Sequence, residues 1–352
     1  MTETSALLSS SEPWGGLPRI SIVVPTLNSA SHLERCLASI ASQDYPMDRV
    51  EVIVADGGST DATIAVALHY SARVILNSLK TGEAGKSVGL RAATGDIVAF
   101  IDSDNILPQF DWLKRMVDPF RDANIMGSEP IAFHYDRSDA AITRYCAMLG
   151  MNDPICLFTG NYDRFSEITQ RWTDININVV EHLGYTEVLL QEPNLPTIGA
   201  NGTMFRRGIL EPFFAQDYFF DIDVIAELAS GSPLHFAKTH IGITHVFTTT
   251  WYGFARKQHR RVTDYFYYSR QSQRKYDWGK FSAWRLAWFV FAAMTIVPTL
   301  VQGFVGYSRK PDPAWLCHPV ACFITLTVYA TATVRNVIVG TLNPANRVEW
   351  KA

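Results

Sequence analysis

The strongest constraint on the fold is an alternation of apolar runs and helical segments between residues 18 and 104. The run SIVV at 21–24 is rich in β-branched residues, and VEVIVAD, RVILN and DIVAF follow it along the chain. Segments with apolar residues at helical spacing, such as SASHLERCLASIASQ, lie between these runs. Strands that alternate with helices in this way are typical of a parallel sheet with helices on its faces. We therefore predict an α/β fold.

Acidic side chains stand at the carboxyl ends of the predicted strands. Asp56 ends VEVIVAD, and Asp102 and Asp104 follow IVAFI. Ligands of an open parallel sheet bind beyond the carboxyl ends of its strands. Two carboxylates separated by one residue can converge on Mg²⁺ or Mn²⁺, which would neutralise charge on a departing diphosphate. The same D-x-D pattern also occurs in ordinary turns, so alone it does not establish a metal site.

Four motifs, taken in chain order, resemble those of the family 2 glycosyltransferases, which are nucleotide-sugar enzymes. They are SIVVPTLNS at 21–29, VADGGSTDAT at 54–63, GKSVGLRAATGDIVAFIDSD at 85–104 and FDIDVIAEL at 220–228. The resemblance covers residues 18–130 well and 195–262 more loosely. It implies the GT-A fold, which is Rossmann-like, with a mostly parallel sheet and helices on both faces.

The same resemblance assigns a donor side and a metal site. Asp102 and Asp104 match the family's metal-binding pair, and His245 in GITHVF stands where some relatives have a third ligand. A lone histidine at a strand end is also often structural, and Asp56 also fits an Asp-Gly turn. The residues assigned to the donor are Pro25, Thr26, Asn28, Asp56, Lys86 and Asp102.

A later motif concerns the acceptor. FFDIDVIAEL resembles the family's catalytic stretch, which makes Asp221 the base and Asp223 the acid that follows it. Inversion at the sugar carbon needs a base near the acceptor hydroxyl, and desolvation beside two phenylalanines would raise the pKa of such a carboxylate. Asp223 fits a helix cap equally well. Asn201 and Gly202, in IGANGTMFRRG, resemble the lining of the acceptor side.

The stretch QHRRV at 258–262 resembles a degraded form of the Q-x-x-R-W motif of membrane-linked relatives. Gln258 is then expected on the acceptor side. Arg260 and Arg261 are expected either to hold diphosphate oxygens or to anchor the domain to anionic lipid.

Two apolar stretches near the C-terminus predict a transmembrane helical hairpin. Residues 284–307 and 315–334 are each about 20 residues long, the length needed to cross the hydrocarbon core of a bilayer. A buried helical hairpin of a soluble protein is the alternative. Nine basic residues precede the first stretch or lie at its edge, so the positive-inside tendency places the catalytic domain and the tail in the cytoplasm. These nine are Arg256, Lys257, Arg260, Arg261, Arg270, Arg274, Lys275, Lys280 and Arg285.

The predicted organisation has five parts. They are a flexible leader at 1–18, a GT-A domain at 19–250, an amphipathic interfacial segment at 251–283, two transmembrane helices at 284–342 and a cytoplasmic tail at 343–352.

The predicted function is that of an inverting, metal-dependent glycosyltransferase. Its partners would be a UDP- or GDP-linked sugar donor, a lipid-linked or glycan acceptor and the membrane bilayer. Nucleic acid is not expected as a partner, because the formal net charge is −3. One alternative is a catalytically inactive membrane-bound scaffold of the same fold. Another is a nucleotidyltransferase, which is disfavoured because PTLNSASHLER lacks a glycine-rich phosphate loop.

Overall fold

A ten-stranded sheet forms the body of the molecule. The computed structural model describes residues 16–199, 201–270, 275–276 and 282–340, so most of the predicted leader and all of the predicted tail lie outside the described residues. The strand order is β3-β2-β1-β4-β9-β6-β10-β8-β7, and β5 pairs with β10. The strands are β1 (Ile20–Thr26), β2 (Val50–Asp56), β3 (Arg73–Leu76), β4 (Ile97–Phe100), β5 (Asn105–Ile106), β6 (Gly127–His134), β7 (Asn178–His182), β8 (Tyr185–Leu190), β9 (Thr203–Arg206) and β10 (Leu234–His245).

The predicted parallel arrangement is confirmed for the first four long strands. β3, β2, β1 and β4 are mutually parallel, and β6 is parallel to β10. The sheet as a whole is mixed rather than mostly parallel, because β9 runs antiparallel to both β4 and β6, and β8 runs antiparallel to β10 and β7. The mixed half comes from residues 125–245, where the sequence lacks a regular strand–helix alternation.

Helices cover both faces of the sheet, as predicted. One apolar core joins α1, α2 and α4 to side chains such as Ile22 and Val24. The other joins α3 and α7 to Val23 and Phe100, so alternate residues of one strand enter opposite cores. These helices and two that follow α4 are α1 (Ala30–Ala41), α2 (Thr63–His69), α3 (Gly82–Ala92), α4 (Trp112–Val117), α5 (Ala141–Leu149), α6 (Ile155–Thr159) and α7 (Asp221–Gly231).

The C-terminal part is helical, but the first predicted span is not one straight helix. It is divided into α9 (Ala283–Thr295) and α10 (Val297–Arg309), whose axes differ by 90°. Ile296 at the break has a φ of 65°, and Pro298 in the first turn of α10 has no N–H with which to continue the preceding helix. The first part of the segment predicted to be amphipathic is the helix α8 (Trp251–Arg270).

The second predicted span is a continuous helix, α11 (Cys317–Val339). With the turn before it, it forms the stretch Pro313–Ile338, 26 residues long and apolar enough to cross a membrane. In the described part of the chain, no other single helix is long and apolar enough to cross a membrane. The bent pair α9–α10 would be a second span if its two helices are counted together.

A third apolar core fastens these helices to the domain. Phe158 of α6 packs edge-on against Phe289 of α9, and Tyr145 of α5 packs edge-on against Trp315. Trp315 is buried, although a tryptophan at a helix end of a membrane hairpin is expected at the lipid interface. Arg144 of α5 forms an ion pair with Asp312 at 3.0 Å. The C-terminal helices are therefore packed on the domain rather than tethered to it.

Candidate active site

One pocket of about 520 Å³ lies beyond the carboxyl ends of the central strands. Its walls come from the start of α3, the turn between β4 and β5, the loop after α5, the start of α7, the end of β10 and one side of α8. Of the sequence-predicted site residues, nine line it: Pro25, Lys86, Asp102, Asp104, Asn201, Asp221, His245, Arg260 and Arg261.

Lys86 joins two of the predicted acidic residues. Its Nζ donates to Asp221 Oδ2 at 2.5 Å and lies 3.8 Å from Asp102 Oδ1. Lys86 reaches this position because α3 packs closely on β1: a Cβ on Gly85 would stand 2.8 Å from Pro25, and one on Gly89 would stand 2.2 Å from Val23. Both glycines thus allow the close helix–strand contact that places Lys86 over the strand ends.

Burial sets the electrostatics of this pair. It raises the pKa of Asp221 to about 6; the ammonium of Lys86 lowers that pKa, and the charge of Asp102 raises it. Burial would lower the pKa of Lys86, but Asp102 and Asp221 outweigh it and hold that pKa above its usual range. Asp221 Oδ1 is buried and has no hydrogen-bond partner among the residues that the structure describes. Asp221 is thus a buried carboxylate whose pKa is raised toward neutrality.

A second group forms around Asp104. His245 Nε2 lies 3.5 Å from Asp104 Oδ1, and Lys257 Nζ lies 3.3 Å from Asp104 Oδ2. Strand pairing explains the first contact, because Asn105 of β5 is the register partner of His245 of β10. Burial would raise the pKa of Asp104, but His245 and Lys257 hold it well below its usual range. Asn152 contacts His245 Nδ1 at 3.1 Å and fixes the other side of the ring.

The side chains of Asp102, Asp104 and His245 share the pocket but do not form a ready metal site. No three His, Cys, Asp or Glu side chains within the described ranges stand in such a cluster. Their donor set, two carboxylates and an imidazole, nevertheless suits Mg²⁺ or Mn²⁺. Lys86 and Lys257 form ion pairs with Asp102 and Asp104. A bound cation would compete with these two ammonium groups for the carboxylates.

Basic side chains of α8 form the opposite wall. Arg260 is exposed at the pocket, and Arg261 Nη1 contacts Asp153 Oδ2 at 3.4 Å and Gln258 Oε1 at 2.9 Å. The hydroxyl of Tyr329, on α11, donates to the same oxygen of Asp153. The C-terminal apolar helix therefore contributes to the surroundings of the pocket.

A buried charged residue stabilises the loop that is predicted to line the acceptor side. Asn201 has a φ of 58° and accepts a hydrogen bond from Asn105 Nδ2 at 3.0 Å. Gly202 does not line the pocket; its φ is 87°, and a Cβ there would stand 2.7 Å from Ile243. Glu129 accepts hydrogen bonds from the Gly199 N–H at 3.3 Å and the Thr203 hydroxyl at 3.2 Å. The loop conformation is therefore fixed at both ends.

Three predicted donor residues lie outside the pocket lining. Thr26 and Asp56 are register partners at the carboxyl ends of β1 and β2. Asp56 accepts hydrogen bonds from the N–H groups of Gly58 and Ser59 at 2.8 Å each, and one from the Ser59 hydroxyl. Asn28 accepts a hydrogen bond from the Thr60 N–H at 2.8 Å. These residues shape adjoining turns at the strand ends, as the Asp-Gly turn interpretation expected for Asp56.

The structure does not bring two predicted acceptor residues to the pocket. Asp223 is buried, and its Oδ1 accepts hydrogen bonds from the N–H groups of Lys275 and Tyr276. Gln258 is fully buried and donates to the backbone oxygen of Asn152 at 2.7 Å. Both side chains are thus engaged in packing between segments.

Several residues that line the pocket were not predicted from the sequence. Lys257 lies one residue before QHRRV and was counted only as a membrane-side basic residue. Asn152, Asp153, Tyr162 and Asp163 come from the loops around α6. The segment NDPICLFTGNYDRF contains all four, but only its mixture of polar and aromatic residues marks it in the sequence.

A comparison with known protein families decides the classification. The model of the family described as "Glycosyl transferase family 2" matches residues 21–214, more than half of the chain. The chain belongs to glycosyl transferase family 2. The mixed sheet with helices on both faces is accordingly a GT-A fold. Three of the four family 2 motifs contribute residues to the pocket lining, and VADGGSTDAT at 54–63 does not.

Curated relatives that match this family 2 member are named as glycosyltransferases. Glycosyltransferase AglE of Haloferax volcanii is 30% identical over 142 residues, which cover 38% of this chain and 46% of AglE. An N-acetylglucosaminyltransferase of Bradyrhizobium elkanii is 34% identical over 117 residues, 31% of this chain and 63% of the relative. A dolichyl N-acetyl-α-D-glucosaminyl phosphate glycosyltransferase of Methanococcus voltae is 30% identical over 109 residues, 29% and 34% of the two chains. In each case less than two thirds of the relative is covered.

Two solved structures are similar to this family 2 chain. The mannosyltransferase PcManGT of Pyrobaculum calidifontis, in complex with GDP-Man and Mn²⁺, has a TM-score of 0.46 and 17% identity, with 91% of this chain and 87% of that chain covered. Glucosyl-3-phosphoglycerate synthase of Mycobacterium tuberculosis, in complex with Mn²⁺ and UDP, has a TM-score of 0.34 and 22% identity, with 55% and 58% covered.

Proposed function

We propose that this family 2 member is an inverting, metal-dependent glycosyltransferase. It transfers a sugar from a nucleotide diphosphate donor to a membrane-associated, lipid-linked acceptor at the cytoplasmic face. One observation carries the proposal: Asp221, a buried carboxylate whose pKa is raised to about 6, shares one pocket with Asp102, Asp104 and His245. A base and a diphosphate-binding group in one cavity are what a single displacement requires.

Asp221 is the proposed general base. A pKa near 6 leaves the carboxylate ionised at pH 7 yet basic enough to take a proton from the acceptor hydroxyl as it attacks. Lys86 holds Oδ2 and so orients the carboxylate; Oδ1 is buried and would meet the acceptor hydroxyl only once it is uncovered. Attack from this side, opposite the leaving diphosphate, inverts the configuration at the sugar carbon.

Asp102, Asp104 and His245 are the residues that would hold Mg²⁺ or Mn²⁺. A divalent cation bound there supplies positive charge for the leaving diphosphate. The chain's own cations add to it, because Lys86, Lys257, Arg260 and Arg261 line the same pocket. Fixed positive charges in a partly dry pocket stabilise a developing negative charge strongly.

The acceptor side is proposed from the position of the pocket next to the C-terminal helices. α8 lines the pocket and leads in the chain to α9 and α10, whose exposed side chains are mostly apolar. Large apolar side chains in such density are expected to contact lipid rather than water. An acceptor with a lipid tail would keep its tail in the bilayer while its polar end enters the pocket. The relative from Methanococcus voltae, whose name specifies a dolichyl phosphate substrate, is consistent with this class.

A titration of purified full-length protein in detergent tests the proposal. UDP and GDP are added separately with Mn²⁺, and the melting temperature is followed, because a ligand that binds only the folded state raises it. We expect a Mn²⁺-dependent rise with one of the nucleotides, and its loss in Asp104→Asn. The control is Asp111→Asn, a change at an exposed acidic residue outside the pocket lining. No rise with either nucleotide would overturn the proposal.

A further inference from the structure

Tyr329 is a polar residue on the apolar helix α11, and its side chain points toward the active site. Its hydroxyl donates to Asp153 Oδ2 and lies 3.5 Å from Gln258 Oε1. Asp153 and Gln258 are both buried, and both contact the guanidinium of Arg261. A side chain of α11 therefore shares two partners with an arginine that lines the pocket. No local sequence pattern indicates this connection, because the two residues lie 68 positions apart in the chain.

Tyr329 and Arg261 both contact one oxygen of Asp153. Asp153 Oδ2 is contacted by both Tyr329 and Arg261, the latter at 3.4 Å, while Oδ1 accepts a hydrogen bond from the Ile155 N–H at 3.1 Å. The hydroxyl of Tyr329 also forms a side-chain hydrogen bond with Arg261. Hydrogen bonds linked in this way strengthen one another in a buried setting. The hydroxyl of Tyr329 therefore ties Asp153 and Arg261 together and fixes the position of the guanidinium.

We propose that Tyr329 is a positioning residue, which keeps Arg261 available to phosphate oxygens in the pocket only while α11 is seated on the domain. This inference rests on the proposed function, since it assigns the diphosphate of the donor to the wall that Arg261 forms. It makes the packing of the apolar helix a condition for tight donor binding. A detached α11 removes the hydroxyl, and the guanidinium then loses a partner that fixes its position at the pocket.

The structure contains other contacts that seat α11 independently of Tyr329. The Tyr145 hydroxyl lies 2.8 Å from His318 Nδ1, and Gln302 Oε1 lies 2.9 Å from His318 Nε2. Arg144 binds Asp312 just before the helix. Removal of a single hydroxyl at Tyr329 should therefore leave the helix in place, so that its effect on Arg261 can be measured separately.

The test is a double-mutant cycle on full-length protein in detergent with Tyr329→Phe, Arg261→Gln and the double variant. The dissociation constant of the nucleoside diphosphate with Mn²⁺ is measured by calorimetry for each. Tyr329→Phe should raise it about three- to tenfold, the range for the loss of one hydrogen bond. In the Arg261→Gln background the same change should raise it less than about twofold, because the two residues act together. Tyr307→Phe, at a half-exposed tyrosine of α10, is the matched control and should change nothing.

Equal effects of Tyr329→Phe in both backgrounds would overturn the inference, because a merely structural role does not depend on Arg261. The melting temperatures of the same four proteins without nucleotide give a second measure. Additive shifts there would also contradict the link between the two side chains. If the wild-type protein binds neither UDP nor GDP but the melting temperatures are non-additive, the proposed function fails while the link between α11 and Arg261 stands.

Discussion

Single residues at this site acquire their properties from burial and neighbouring charge. Asp221 is an aspartate whose pKa is about 6 because it is buried beside Asp102, even though it also pairs with Lys86. Asp104 differs from it, since His245 and Lys257 keep its pKa low. Two carboxylates in one pocket thus have opposite tendencies, one to take a proton and one to stay charged. This separation suits a base and a metal ligand.

The raised pKa of Asp221 predicts a specific dependence of the rate on pH. A base must be ionised to act, so kcat/KM for the donor should fall as the pH drops through about 6 and reach a plateau above it. An aspartate with an ordinary pKa would keep its activity to about pH 4. The measurement is the initial rate of nucleotide release between pH 4.5 and 8. A rate that stays constant down to pH 5 would contradict the role of Asp221.

The sequence predicted nine of the residues that line the pocket but missed those that depend on tertiary contacts. Asp102, Asp104 and Asp221 belong to local motifs, so their positions follow from the strand and helix that carry them. Lys257 of α8 lies over the ring of Phe247 and reaches Asp104 from a distant part of the chain, and Asp153 comes from an irregular loop. No periodicity or motif spacing in the sequence encodes such contacts.

At the scale of elements, a buried charge cluster joins β6 to β10. Lys238 of β10 is the register partner of Glu129 of β6, and its Nζ lies 2.5 Å from Glu129 Oε1. Arg164 lies 2.9 Å from the same oxygen, and all three side chains are almost completely buried. Because Glu129 also holds the N–H of Gly199 and the hydroxyl of Thr203, this cluster connects the sheet to the loop on the acceptor side.

Lys238→Met is predicted to destabilise the protein strongly. It leaves Glu129 with one cationic partner instead of two, and breaking a buried ion pair costs about 3–5 kcal/mol. The free energy of unfolding, or the melting temperature in detergent, measures the loss. Glu129→Gln combined with Lys238→Met removes both charges and should cost less than Lys238→Met alone. If the double variant is less stable than Lys238→Met, the charges of Glu129 and Lys238 do not balance each other in this way.

The elements also show where prediction from the sequence ends. The strands and helices between residues 20 and 100 were predicted correctly, because β-branched runs and helical spacing alternate there. The antiparallel β7, β8 and β9 were not predicted, since their pairing depends on contacts distant in sequence. The break at Ile296 was missed as well: an apolar stretch of helical length does not reveal that Pro298 makes the chain turn.

At the scale of the whole molecule, the pocket and the C-terminal helices form one packed unit. Asp312, Trp315 and Tyr329 connect these helices to the domain through polar and aromatic contacts, while many of their large apolar side chains face outward. This arrangement fits an enzyme that rests on a membrane with its active site at the surface.

The membrane proposal predicts that full-length protein stays with membranes after a wash at alkaline pH. Apolar area of this size is retained by lipid regardless of charge screening. The measurement is the fraction in the pellet after carbonate extraction, with a high-salt wash as a control for electrostatic attachment. Release of the protein by salt alone would mean that only the basic residues hold it at the surface.

The central claim concerns Asp221, and the most direct measurement compares wild-type protein with Asp221→Asn. Release of nucleoside diphosphate from UDP- and GDP-linked sugars is followed in the presence of Mn²⁺ and a membrane lipid extract, with nucleotide affinity measured in parallel. The account predicts that Asp221→Asn binds nucleotide within about twofold of wild type but turns over about 10²- to 10⁴-fold more slowly. Turnover within about threefold of wild type would contradict it, because a carboxamide cannot take the acceptor's proton.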